Sequence, residues 1–364
     1  MLASVLLALS ARGQGLQAGL ARQPQTLTSE QLDTVRKYAE QFLPDLDSTD
    51  SAKIKRARTS LLEPLEDTQV SGPFRIAYTR VLEPRLSQLV ADKREVVAIN
   101  SLYITGELAT DGGLAILQKQ ISSPDAVVRY AAVRGIGLTL EAAERTSPAV
   151  SADGVEKQVV PTLGQRLATE PDGRVADALA RALVAAMNIS NRDFATARVR
   201  AVEGLCAGLG ARLQATRDKG LDPVLLESAL LAGAHLRDAL NAGAGLPRLP
   251  DDARVKVAGF AGDMLAAVSH AIKGPLSPIG SDDDGATKAA KAQARLLPAQ
   301  IAALAESIVG LAASDAYRAQ RLGDMLKSAT PPDDARFLEG SAQIVGQGGV
   351  LTKAPFGLPA DRFK

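Results

Sequence analysis

Pro124-Asp125-Ala126-Val127-Val128-Arg129, continued by Ala132 and Ile136, is the stretch that decides how this chain folds. A proline and an acidic residue open it, a branched apolar residue follows three positions after the aspartate, and small or apolar side chains then recur at steps of four. The aspartate can accept the free amides of a first helical turn, and the spacing puts the apolar residues on one helical face. Pro171-Asp172 with Val175, Leu179 and Leu183 is a second copy, and Pro250-Asp251-Asp252 with Val255, Gly259 and Asp263 a third. The string Pro-Asp-Asp-Ala-Arg occurs identically at Pro250–Arg254 and Pro332–Arg336. Recurrence over tens of residues marks stacked helical units, each burying its apolar face against its neighbours.

The anchor residue recurs after 31 residues from Val97 to Val128 and after 47 from Val128 to Val175; it then recurs after 80 at Val255 and 82 at Phe337. The last two intervals are each about twice the ~40 residues of a helix pair. Between them, Val202, Leu205, Leu209 and Leu213 form one apolar stripe and Leu226, Leu230, Leu236 and Leu240 another. The helix from Asp125 is expected to pack on a partner around Val155–Leu167. Pro84, inside the pattern Ile76, Val81, Leu86, Leu89, predicts a kink or break. No segment has strand patterning.

At 364 residues the chain is long for one compact core. Apolar residues make up 46%, mostly Ala, Leu and Val, with 3% aromatics and no Trp, which suits close helix-on-helix packing. The net charge is +1 with both signs interspersed, so no global field favours nucleic acid or anionic lipid. The 28 Arg against 14 Lys, with abundant Ala and Gly, suggest a GC-rich bacterial genome.

Leu2–Leu9 form an apolar run followed by small residues at Gly13, Gly15, Gly19 and Ala21. This is the layout of an export signal over residues 1–21, cleaved near Arg22 or somewhat earlier, although no basic residue precedes the run. A secreted or periplasmic location follows; the alternative is an amphipathic first helix and a cytoplasmic protein. The run is too short to span a bilayer, and no later stretch reaches ~20 uninterrupted apolar residues, so no stable membrane insertion is expected. The remaining organisation reads as a helical cap over 22–71, repeats over 72–273, a linker over 274–290, C-terminal helices over 291–346 and an extended tail over 347–364.

The residues at Pro124–Ile136 resemble the HEAT repeat: an Asp, then Val-Arg at the start of the second helix, then Ala and an aliphatic. The match is best over 72–190 and looser over 191–345; the Val-Arg pair is complete only at Val128-Arg129. The resemblance implies an armadillo-like, right-handed α-solenoid without significant β-sheet, whose second helices line a concave partner-binding face. HEAT-like repeats also occur in bilin lyases and in one class of DNA glycosylases, so the repeat leaves the activity open.

Residues suited to catalysis are few. His235 and His270 have no second His or Cys at ligand spacing, so no metal site is expected. Cys206 lies beside Val202, Leu205 and Leu209, as a buried, unreactive thiol would. Asp282-Asp283-Asp284-Gly285 lacks the later Glu of a calcium loop, and Gly346-Gln347-Gly348-Gly349 lacks the Lys of a phosphate loop. Lys53, Lys55, Arg56 and Arg58 read as a solvated helix face. The expectation is a non-enzymatic, exported scaffold that binds other proteins or forms part of an assembly, takes no cofactor and no nucleic acid, and leaves its oligomeric state open; the alternative is a helical-repeat lyase or DNA glycosylase. Arg129, Arg134, Arg174 and Arg181, off the apolar stripes, are the expected protein-binding residues. Arg129 is further expected to pair with Asp92 or Asp172.

Overall fold

The computed structural model describes residues 16, 18–145, 149–220, 222–241, 248–274, 276, 278–313 and 317–364, and in it the chain is all-α. The helices are α1 (Ala18–Ala21), α2 (Ser29–Glu40), α3 (Ser51–Leu62), α4 (Gly72–Leu89), α5 (Glu95–Leu108), α6 (Asp111–Gln120), α7 (Ala126–Arg145), α8 (Ala152–Gly154), α9 (Val160–Thr169), α10 (Gly173–Met187), α11 (Ala195–Thr216), α12 (Pro223–Leu240), α13 (Asp251–Lys273), α14 (Gly285–Ala313), α15 (Leu322–Ser328) and α16 (Pro331–Val345). A π-helical turn at Val155–Val159 joins α8 to α9. Among the described residues there is no strand, only one isolated parallel bridge between Thr110 and Ala149. The chain divides into two compact units, Met1–Ser151 and Ala152–Lys364, a partition different from the cap, repeats and C-terminal helices expected from sequence.

In the first unit α3, α5 and α7 pack side by side in one layer, and α2, α4 and α6 form the other. Local chemistry sets each helix start. Thr110 Oγ1 accepts the amide of Gly113 (3.1 Å) and Asp125 Oδ1 that of Val127 (2.8 Å), as the capping argument requires. Ala109, at φ 52°, ends α5 in the left-handed conformation. α4 runs unbroken through Pro84; its buried Tyr78, Leu82 and Leu86 hold the helix on both sides of the proline.

Val128, Ala132, Val133, Ile136 and Leu140 are buried, as their period predicts. Their neighbours within the first unit are α5 and α6, which precede α7 in the chain, whereas the Val155–Leu167 segment expected as the partner belongs to the second unit. Glycine makes that contact close: a Cβ on Gly106 would lie 2.6 Å from the Gly135 Cα, so only glycine fits at this helix crossing. Thr139 Oγ1 then donates to the Gly106 carbonyl at 3.0 Å. Ile136→Ala is therefore expected to cost about 2–5 kcal/mol, and an unchanged urea midpoint would overturn the assignment of this face.

In the second unit α9, α11, α13 and α16 form one row, α10, α12 and α14 the facing one, and α15 sits between α14 and α16. α13 and α14 are long and apolar enough to cross a bilayer by length and composition, yet most of α13 and half of α14's apolar window are buried inside the protein. The expected linker ends early, because α14 begins at Gly285, with Asp284 Oδ1 accepting the Thr287 amide at 2.7 Å. The twin Pro-Asp-Asp-Ala-Arg strings take different roles. At α13, Asp251 and Asp252 are exposed in the first turn. In α16, Asp334 is buried and takes two hydrogen bonds from Arg295 of α14, at 2.5 and 2.8 Å. Arg295 also donates to the Leu276 carbonyl at 2.8 Å.

Residues 347–364 are not an extended tail. They form 3-10 turns at Val350–Thr352 and Ala360–Phe363, and they bury Leu351, Phe356 and Phe363. Phe363 lies against Gly262 of α13, where an added Cβ would come within 2.5 Å of its ring. Arg362 donates to Asp263 of α13 at 3.1 and 2.7 Å, and Gln214 of α11 donates to the same carboxylate at 3.0 Å. Gly and Pro in this segment serve tight turns around three apolar anchors.

Candidate protein-binding face

Four of the exposed large apolar residues lie on α5 and α7: Val96 and Val127 are each 42% exposed, Tyr103 40% and Tyr130 41%. Their positions follow from helical spacing. Val96, Asn100, Tyr103 and Glu107 form one stripe on α5, and Val127, Tyr130 and Arg134 one on α7. Because α5 packs beside α7 and α3 beside α5, these stripes lie next to Lys55 and Arg58 of α3. Single exposed apolar residues are ordinary, whereas a group on adjacent helices is a candidate interaction surface.

The polar groups of this face are ordered. Arg58 Nη1 donates to Asn100 Oδ1 at 2.9 Å, and its guanidinium lies 5.4 Å from the centre of the Tyr103 ring. Asn100 Nδ2 donates in turn to the Val96 carbonyl at 2.6 Å. Burial, the charge of Glu107 and its hydrogen bond raise the Tyr103 hydroxyl above the ordinary tyrosine value, against the opposing charges of Arg58 and Arg134. Tyr103 therefore stays neutral at physiological pH, with its ring presented beside two cations.

The four arginines expected at the interface have separate fates. Arg134 lies on this face, half-buried. Arg129 is only 7% exposed and donates to the carbonyls of Ser123 (2.9 Å) and Pro124 (3.0 Å), so it helps hold the turn into α7. The carboxylates expected for it are engaged elsewhere: Asp92 with Arg94, and Asp172 with the amides of Arg174 and Val175. Arg174 and Arg181 are exposed in the second unit, where Arg181 pairs with Asp177 at 2.7 Å. Tyr103 and Tyr130 carry no expectation from sequence, and Arg58 is expected there only as part of a solvated helix face. The available signal was scarcity: with five tyrosines in the whole chain, two at outward positions of adjacent helices are informative.

The corresponding row of the second unit carries a shallow trough of about 610 Å³ between α9 and α11, lined by Val160, Gly164, Gly204 and Gly208, with Glu203 and Lys256 at its rim. Its charges are satisfied locally, since Lys256 Nζ lies 2.7 Å from Glu203 Oε1 and Arg200 is 3.7 Å from the same carboxylate group. Cys206 is buried, and burial pushes its thiol up, away from the thiolate a nucleophile needs. His235 is half-buried with Asn188 Nδ2 3.5 Å from its ring, and among the described residues no three His, Cys, Asp or Glu side chains gather at metal-binding distance.

Fold and face together define an all-α, helical-repeat-like protein. No protein-family model and no curated protein matches the chain. Two crystal structures of engineered proteins from the Northeast Structural Genomics Consortium are similar to it. One is 17% identical with a TM-score of 0.42, over 76% of this chain and 96% of the other. The second is 16% identical with a TM-score of 0.32, over 89% of this chain and 86% of the other.

Proposed function

We propose that this chain is a non-enzymatic scaffold of the HEAT-like kind, which holds a protein partner on the exposed face of α5 and α7. The observation that carries the reading is the cluster Val96, Tyr103, Val127 and Tyr130 on two adjacent helices of one layer. Half-exposed tyrosines bring large contact area at low conformational cost, the property that enriches them at interfaces. Replacing all four by Ser is expected to abolish partner capture from an envelope fraction while leaving helicity and melting temperature nearly unchanged. Capture equal to that of the unmodified protein would remove the reading.

Export belongs to the same proposal. The apolar run Leu2–Leu9 lies outside the described residues, but Leu16, Leu20 and Ala21 pack on the core of the first unit, and the Ala21 carbonyl accepts the Ser71 amide at 2.9 Å. Cleavage that spares this packing falls at or before Leu16, upstream of the Arg22 position expected from small residues alone. N-terminal sequencing of native protein should find such a start, and a chain that still begins at Met1 would place the protein in the cytoplasm.

A further inference from the structure

The first unit pairs many of its arginines with carboxylates: Arg22 with Asp67, Arg36 with Asp33, Arg85 with Asp47, and Arg94 with Asp47 and Asp92. On the face of α3, α5 and α7 the pattern changes. Arg58 is held by a neutral amide and an aromatic ring. Arg134 of α7 is half-buried, and its positive charge opposes the rise of the Tyr103 hydroxyl. Lys55, one turn before Arg58 on α3, is exposed. Glu107, one turn after Tyr103 on α5, acts on the Tyr103 hydroxyl. Among the described residues, Lys55, Arg58 and Arg134 have no carboxylate within ion-pair distance, and Arg58 lies directly beside the exposed Tyr103.

We propose that the partner of this face is an acidic amphipathic segment, whose carboxylates meet Arg58 and Arg134 while its aliphatic side chains cover Val96, Tyr103, Val127 and Tyr130. This rests on the scaffold reading and names the chemistry of the partner. Two features of the face support that choice. First, register: Val96 to Val127 and Tyr103 to Arg134 are both separations of 31 residues, so the packed helices α5 and α7 set an aliphatic pair at one end of the face and a tyrosine–arginine pair about two turns further on. A segment with apolar and acidic residues on one side matches that alternation. Second, preorganisation: Asn100 and the Tyr103 ring already fix the Arg58 guanidinium, so little side-chain freedom is lost when a carboxylate docks. A planar guanidinium with free donors favours a carboxylate over a neutral acceptor. An isolated cation row would be ordinary solubility charge; cations interleaved with exposed Val and Tyr are the anatomy of a recognition surface.

The test uses the full chain as bait against a phage-displayed library of random 16-residue peptides, with the R58Q/R134Q double variant in parallel. Arg36→Gln, which breaks only the exposed Arg36–Asp33 pair (2.7 Å), serves as the control. Enriched peptides should be net acidic with aliphatic residues at helical spacing. They should bind R58Q/R134Q about tenfold or more weakly, bind R36Q as well as the unmodified protein, and weaken steeply between low and physiological salt. R58K/R134K should restore part of the affinity, because it returns the charge without the planar fork. Each variant is checked for an unchanged melting temperature. Enriched peptides that are neutral or basic, or that bind R58Q/R134Q equally well, overturn this inference and leave the scaffold reading in place. Enrichment of nothing, with partner capture also indifferent to the four Ser substitutions on the face, overturns both. Binding to phosphatidylserine vesicles or to a single-stranded oligonucleotide that R58Q/R134Q abolishes, with no acidic peptide enriched, assigns the face to another anion and also overturns it.

Discussion

Replacing Arg295 by Met is expected to destabilise the second unit by about 3–5 kcal/mol, the cost of leaving one member of a buried ion pair without its partner. The Arg295 side chain is 1% exposed; it makes two bonds to Asp334, at 2.5 and 2.8 Å, and a third to the Leu276 carbonyl. Removing it strands the Asp334 carboxylate between α14 and α16 and frees the turn at Leu276. The pair is not itself expected to be a large net source of stability, because desolvating both ions offsets most of their attraction. The double substitution R295M/D334L should therefore recover at least about 1 kcal/mol relative to R295M alone. Urea denaturation of the three proteins measures this. A double variant no more stable than R295M would mean that the loss came from packing or from the Leu276 bond.

Arg362→Met carries the second large effect, again about 3–5 kcal/mol, but it is local. Asp263 is fully buried on α13 and would keep only the Gln214 donor. The carboxylate would be left in an apolar row of Val257, Phe260, Met264 and Leu265. The segment that supplies Arg362 is short and held by few anchors, so it should undock before the rest of the unit opens. Trypsin cleavage after Lys353 should accelerate strongly in native buffer, while the global unfolding midpoint moves much less. Equal cleavage rates in the two proteins would show that Leu351, Phe356 and Phe363 hold the segment unaided.

The helical architecture was legible in the order of residues because its causes are local. Asp125 and Asp172 cap the amides that follow them, and a 3.6-residue period states which side chains each helix must bury. The burial of Cys206 could be read in the same way from its place on an apolar stripe. What sequence could not supply was the identity of the surface on the other side of a contact. An apolar stripe demands a cover but does not name one: chain order points to the helix after α7, whereas α7 packs on α5 and α6. Arginine shows the same limit. Arg129, Arg134 and Arg181 have similar sequence surroundings, yet one is buried on the carbonyls of its own turn, one lies on the exposed face and one pairs with Asp177.

The C-terminal residues and the two Pro-Asp-Asp-Ala-Arg strings set the boundary most plainly. Gly348, Gly349, Pro355, Gly357 and Pro359 argue locally for an extended chain, and only the approach of α13, with Gly262 for Phe363 and Asp263 for Arg362, gives the segment a reason to fold back. Identical pentapeptides likewise open a helix on exposed aspartates at Asp251 and bury Asp334 against Arg295. Sequence alone determined the helices, their apolar faces and their starts, because capping, periodicity and turn chemistry act over a few residues. Tertiary structure alone decided how Arg295 and Arg362 are held, which face stays open and where the last residues dock, because each depends on neighbours far away along the chain, Asp334 being 39 residues from Arg295 and Asp263 99 from Arg362.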